Sequence, residues 1–116
     1  MIDNQLELWN NLNESYTLYE IQKYINNVIK LRGFEEQEIE KTMLLLLEEV
    51  GELAKAIRKN ATDMKIDNSK INNYDTIESE VADVFIVLTS ICNKLDIDLY
   101  KALKDKEENN IKRSWK

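Results

Sequence analysis

The chain is predicted to be an all-α protein, a bundle of four to five helices, on three observations. It has no proline and only two glycines, so the residues that most strongly interrupt a helix are scarce. Apolar residues recur at three- and four-residue spacing along most of its length, and nothing alternates for long as a strand would. Internal repeats and low-complexity segments are absent. Its 116 residues amount to one domain, 1–116, large enough for a core and small enough for a partner chain to complete part of it.

Each element has a local reason. Asp3 is placed to cap a short first helix running to about Asn11, with Leu6, Trp9 and Leu12 as its apolar side. A polar break at 11–15 closes this N-terminal addition, residues 1–15. Thr17 followed by Glu20 is a capping-box signature, opening a helix in which Leu18, Ile21, Ile25, Val28 and Ile29 recur at helical spacing. Gly33 stands where a left-handed terminating residue belongs, so that helix should end there.

A third helix is expected from Glu35 or Glu36 to about Asn60, because the acids Glu35, Glu36 and Glu38 suit a positive helix start. Its apolar arc is Met43, Leu46, Leu47, Val50, Leu53, Ala54 and Ile57. Leu44 and Leu45 fall outside the arc, implying contact on more than one side. Gly51 is either a tolerated glycine, costing about 1 kcal/mol relative to alanine, or a point of close helix packing. Residues 61–75, rich in Asn and Asp, read as a polar loop. Asp75 or Thr76 then caps a fourth helix to about Leu95, and a last helix runs from Leu99 to about Arg113 with Leu99, Ala102 and Leu103 on one side.

Two of these helices carry acids in an unusual pattern. On the third, Glu48, Glu49 and Glu52 form one acidic face at roughly 100° per residue. On the fourth, Glu80 projects among Val84, Val87, Leu88 and Ile91, with Asp83 one turn on. A buried carboxylate is normally paired or bound to metal, because desolvating a lone ion costs several kcal/mol. If the two helices pack side by side, the acids converge and a divalent cation would balance them. With no His and a single Cys, Cys92, the usual zinc ligands are missing. What remains is an all-oxygen shell suited to Mg²⁺, with Mn²⁺ as a substitute. The competing reading is that the acids are ordinary solvated helix positions.

Glu48-Glu49-x-x-Glu52 followed by Glu80-x-x-Asp83 resembles the EExxE…ExxD signature of the MazG-like all-α nucleoside triphosphate pyrophosphohydrolases. VGELAKAIRK after the first acids, VADVFIVL around the last, and a tail in which Lys106, Asn110 and Arg113 match a K…N..R pattern resemble the family too. The resemblance runs from about Tyr16 to Arg113. It implies Mg²⁺-dependent release of pyrophosphate from a (deoxy)nucleoside triphosphate, leaving the monophosphate, by a dimer or a tetramer of dimers whose cleft a neighbouring subunit closes.

In that reading Glu48, Glu49, Glu52, Glu80 and Asp83 hold metal, and Glu48 or Glu49 is the general base. Lys55, Lys106, Asn110 and Arg113 bind phosphate, with an Arg fork suited to bidentate contact; Lys59 lies on the Lys55 face. Each lysine also reads as a solvated surface charge. Phe34 matches the aromatic that follows Arg-Gly in many relatives and is the candidate base platform, ahead of Trp9, Tyr24 and Trp115. Gln22 and Asn26 are candidate hydrogen-bonding partners for a base.

Rival readings stay open: hydrolysis of phosphoribosyl-ATP, or a metal-binding helical interaction protein without turnover. A ferritin-like di-iron site is the least favoured reading, since it uses Glu-x-x-His pairs and the chain has no His. With 16 basic and 22 acidic residues the net charge is −6, which disfavours nucleic acid and anionic membrane as partners. The N-terminus lacks the basic start and apolar core of a signal peptide, and one cysteine makes no internal disulfide. These features point to the cytoplasm.

Overall fold

Helix termination, more than helix propensity, divides this chain. The computed structural model describes residues 2–65 and 76–115. Among them are five helices and no strand: α1 (Ile2–Asn11), α2 (Leu18–Leu31), α3 (Ile39–Ala61), α4 (Ile77–Lys94) and α5 (Leu99–Asn110). The protein is all-α.

Helix α2 shows both devices. The Thr17 hydroxyl accepts from the Glu20 amide at 3.2 Å, and the Glu20 carboxylate accepts from the Thr17 amide at 3.0 Å, so two orphan donors are satisfied reciprocally. At the other end Gly33 has φ +85°. The Gly33 amide donates to the Lys30 carbonyl and the Phe34 amide to the Ile29 carbonyl, both at 3.1 Å, the Schellman pattern. Helix α4 ends in the same way without glycine. Asp96 takes φ +55°, and the Ile97 amide donates to the Cys92 carbonyl at 2.8 Å.

Some expected boundaries move. Helix α1 begins ahead of Asp3, so Asp3 lies in the first turn and does not cap it. Helix α3 starts at Ile39, not at Glu35 or Glu36. The intervening residues form a turn, the Gln37 amide donating to the Phe34 carbonyl, and the Lys94 ammonium draws in the Glu35 and Gln37 carbonyls at 3.2 and 2.6 Å. A charged donor on those oxygens outcompetes the dipole preference of three acids. Thr76 opens α4, its hydroxyl accepting from the Ser79 amide at 3.1 Å. The alternative cap Asp75 and most of the expected loop at 61–75 lie outside the described residues.

The chain divides into two compact units, one of Met1–Gln37 with Thr89–Lys116, the other of Glu38–Leu88. Helix α4 contributes to both. In the first unit α2 packs against α1 and α5, burying Ile25 and Val28 together with Gln22. The Gln22 amide donates to the Asn93 side chain at 3.2 Å and the Ile97 carbonyl at 3.0 Å, and its oxygen accepts from the Leu99 amide at 2.8 Å. Those bonds offset the cost of burying it.

The second unit is less well covered. In α3 only Thr42 and Ala56 are buried. Met43, Leu47, Val50, Ala54 and Ile57, expected in the core, are exposed, as is Leu44 at 65%. Gly51 has open space around it, so close packing within this chain is not the reason for it.

Two stability predictions follow from the helix ends. Asp96→Gly relieves a left-handed residue bearing a side chain and should stabilise by on the order of 0.5 kcal/mol. Thermal melts should show the gain as about 2–4 °C; a fall would show that the Asp96 side chain matters more than its backbone. Hydrogen bonds from the Thr17 backbone, then from its hydroxyl, hold the Glu20 carboxyl below its ordinary value. Because the folded value is the depressed one, this stabilisation is present above the ordinary carboxylate value and is lost as pH falls through the folded one. Acid melts of wild type should therefore lose a component that Glu20→Gln lacks.

Candidate metal centre

Within the second unit, α3 and α4 bring acids together. Glu80 and Asp83, three residues apart, share a face of α4, and Glu49 meets them from α3. One carboxylate oxygen from each lies within 4.8 Å of the other two. Glu80 is 4% exposed, and Glu49 and Asp83 are half-buried. The fold helps to seat Glu80 because it belongs to the first turn of α4, where the helix end carries partial positive charge.

Like charges at that separation repel by about 3 kcal/mol per pair at an effective dielectric constant of about 20. A hard divalent cation turns this repulsion into attraction. Around Mg²⁺ adjacent oxygens are about 2.9 Å apart and opposite ones about 4.2 Å, so three oxygens within 4.8 Å would have to draw closer on binding, and an all-carboxylate set suits Mg²⁺ or Mn²⁺. The residues fit such an ion.

The other two acids stand apart. Glu48 and Glu52 are exposed and do not belong to the three-acid group. Glu52 is 3.5 Å from the Lys55 ammonium, an exposed pair one turn apart of the kind worth little. Lys59 is exposed beyond it.

The remaining candidates lie in the first unit. Lys106 is exposed on α5, and Asn110 is its last residue. Arg113 lies past the helix, which corrects the expectation that the three share one helical face. Chain turns carry it instead, its amide donating to the Asn110 carbonyl, and its guanidinium stacks on Trp115 at 4.4 Å. Trp115 thus meets an arginine.

Phe34 is 48% exposed just after the α2 terminus. Gln22 has both amide hydrogens and its oxygen committed inside the fold, so a base contact from it would break those bonds. Asn26 borders two open cavities of about 300 and 200 Å³, which Asn93 also lines. Tyr24 borders a third cavity, of about 240 Å³, and Trp9 is exposed. Asn93 and Lys94 were not singled out from sequence; a polar pair closing the apolar run VFIVLTSIC was the available signal.

No described helix is long and apolar enough to cross a membrane. Comparison with curated proteins and with solved structures finds no match. A family model, the MazG nucleotide pyrophosphohydrolase domain, matches residues 37–114. That stretch holds all five acids, Lys55 and the Lys106, Asn110, Arg113 set, and leaves α1, α2, Gln22 and Phe34 outside. Covering more than half of the 116 residues, and joined to an all-α fold in which Glu49, Glu80 and Asp83 converge, the match shows that this chain belongs to the MazG nucleotide pyrophosphohydrolase domain family.

Proposed function

We propose that this protein hydrolyses (deoxy)nucleoside triphosphates to nucleoside monophosphate and pyrophosphate in a Mg²⁺-dependent reaction. The observation that carries the reading is the convergence of Glu49, Glu80 and Asp83 within 4.8 Å inside a chain of a nucleotide pyrophosphohydrolase family.

Glu49, Glu80 and Asp83 would hold the ion, with buried Glu80 the least free to move. When bound, Mg²⁺ neutralises charge on phosphate oxygens and acidifies water. Glu48 and Glu49 are the two candidate bases. We favour Glu48, because Glu49 belongs to the three-acid group while Glu48 remains exposed to accept a proton. Water attacks phosphorus, its proton passes to that carboxylate, and the phosphoanhydride bond breaks to release pyrophosphate. Lys55 is assigned to phosphate because its existing partner, Glu52, holds it only weakly. Lys106, Asn110 and Arg113 are assigned to phosphate on the family pattern, Arg113 by a bidentate fork.

The active form is proposed to be a homodimer, or a tetramer built from dimers, in the cytoplasm. What supports the assembly is the exposed apolar surface of α3, where Leu44 and Leu47 are 65% and 57% exposed. Each buried apolar side chain is worth about 1.5–3 kcal/mol, so a second copy covering this surface stabilises both.

Purified protein with Mg²⁺ is expected to release pyrophosphate from members of a panel of ribo- and deoxyribonucleoside triphosphates, and EDTA to abolish it. Removing a ligand worth several kcal/mol should lower kcat by on the order of 10²-fold or more in Glu80→Gln and in Asp83→Asn. Glu48→Gln should lose turnover by about 10²–10⁴-fold while keeping Mg²⁺ affinity in calorimetry. Undiminished rates in Asp83→Asn would sink the metal assignment. Phosphoribosyl-ATP belongs on the same panel, since release from it alone would move the substrate elsewhere. Light scattering should give a dimer or tetramer mass for wild type and a monomer for Leu44→Asp combined with Leu47→Asp; a monomeric wild type would refute the assembly.

A further inference from the structure

Elsewhere among the described residues lysines are held by carboxylates: Lys30 by Glu35, Lys55 by Glu52 and Lys101 by Asp105. Arg113 is held differently. Among the described residues it makes no ion pair, and its guanidinium carbon lies 4.4 Å from the centre of the Trp115 ring. The indole is itself anchored, its Nε1 donating to the Asn110 carbonyl at 3.0 Å. That same oxygen accepts the Arg113 amide at 3.2 Å. One carbonyl at the end of α5 therefore fixes both the backbone of the arginine and the ring beneath its head group.

The two ways of holding a cation differ in what they leave available. A carboxylate occupies the donor edge of a guanidinium, which is the edge an incoming phosphate needs. An aromatic face occupies only its plane and leaves the N–H fork pointing outward. It also restricts a long side chain whose freedom would otherwise be lost on binding.

We propose that Trp115, one residue beyond the family-matched stretch, is a positioning residue that holds Arg113 on its indole face with the donor edge free for a polyphosphate. The inference rests on the reading of Arg113 as a phosphate ligand.

The test measures binding of inorganic tripolyphosphate with Mg²⁺ by calorimetry, and KM against kcat for the best substrate. Five proteins are compared: wild type, Trp115→Ala, Trp115→Phe, Arg113→Ala and the Arg113→Ala, Trp115→Ala double variant. Trp115→Ala should weaken tripolyphosphate by about 2- to 5-fold, the range of an exposed cation–π contact, and its loss should fall on KM more than on kcat. Trp115→Phe keeps a ring face but no indole N–H and should recover part of the loss. In an Arg113→Ala background, Trp115→Ala should add nothing. With Trp9→Phe leaving Trp115 as the sole indole of the two in the chain, its fluorescence should change on titration with tripolyphosphate.

The proposal is overturned if Trp115→Ala binds as wild type, or if its loss is equally large without Arg113. A neutral Arg113→Ala overturns the phosphate reading and the proposal together. Tight binding without hydrolysis sinks only the activity, since affinities then decide the role of Trp115.

Discussion

Three carboxylates converging within 4.8 Å are the physical constraint on which the proposed chemistry of this protein rests. Bringing like charges together is costly, and with no histidine and one cysteine in the chain the set offers a ligand carboxylate oxygens alone. The penalty is accepted at a particular place, the first turn of α4, where the helix dipole offsets part of it. A structure that brings acids together at a cost of this size is suited to a ligand of opposite charge. In the proposed reading Glu48, one residue before Glu49, and Glu52, three after it, can remain exposed, because three oxygens would suffice for an ion that retains waters.

What was legible in the sequence divides along a physical line. Local devices read correctly, since the hydrogen bonds of the Thr17–Glu20 box and of the Gly33 terminus involve only neighbouring residues. Asp96 performs at α4 what Gly33 performs at α2; aspartate enters the left-handed region more readily than most residues but far less often than glycine, so its signal is weak and the backbone angle reveals it. The start of α3 was misplaced for a non-local reason. Glu35, Glu36 and Glu38 look like a helix start until Lys94, far along the chain, claims the carbonyls of Glu35 and Gln37.

The acid site was legible in outline and not in detail. Periodicity puts five acids on two helix faces, but which of them meet depends on how α3 and α4 approach, and spacing alone does not encode that. Arg113 makes the converse point: its spacing from Lys106 and Asn110 promised one helical face, and α5 stops at Asn110. The apolar arc of α3 was likewise real as a pattern while its burial was not. A hydrophobic stripe specifies that something apolar should cover it, and leaves open whether the cover comes from the same chain.

Gln22 ties these threads to the region outside the family match. A glutamine on the apolar face of a helix reads as a ligand-facing polar group, and here it is a fastener. Its oxygen accepts from the Leu99 amide, the first residue of α5, while its amide hydrogens go to Asn93 and to the carbonyl of Ile97. An apolar residue of the same size would take these partners from the Ile97 carbonyl and the Leu99 amide, both only partly shielded from solvent, so water would offset part of the loss. Helix α2 therefore sets where α5 begins, and with it the direction in which Lys106 and Asn110 are presented. Helix α2, outside the matched stretch, thus fixes the start of the helix that carries Lys106 and Asn110.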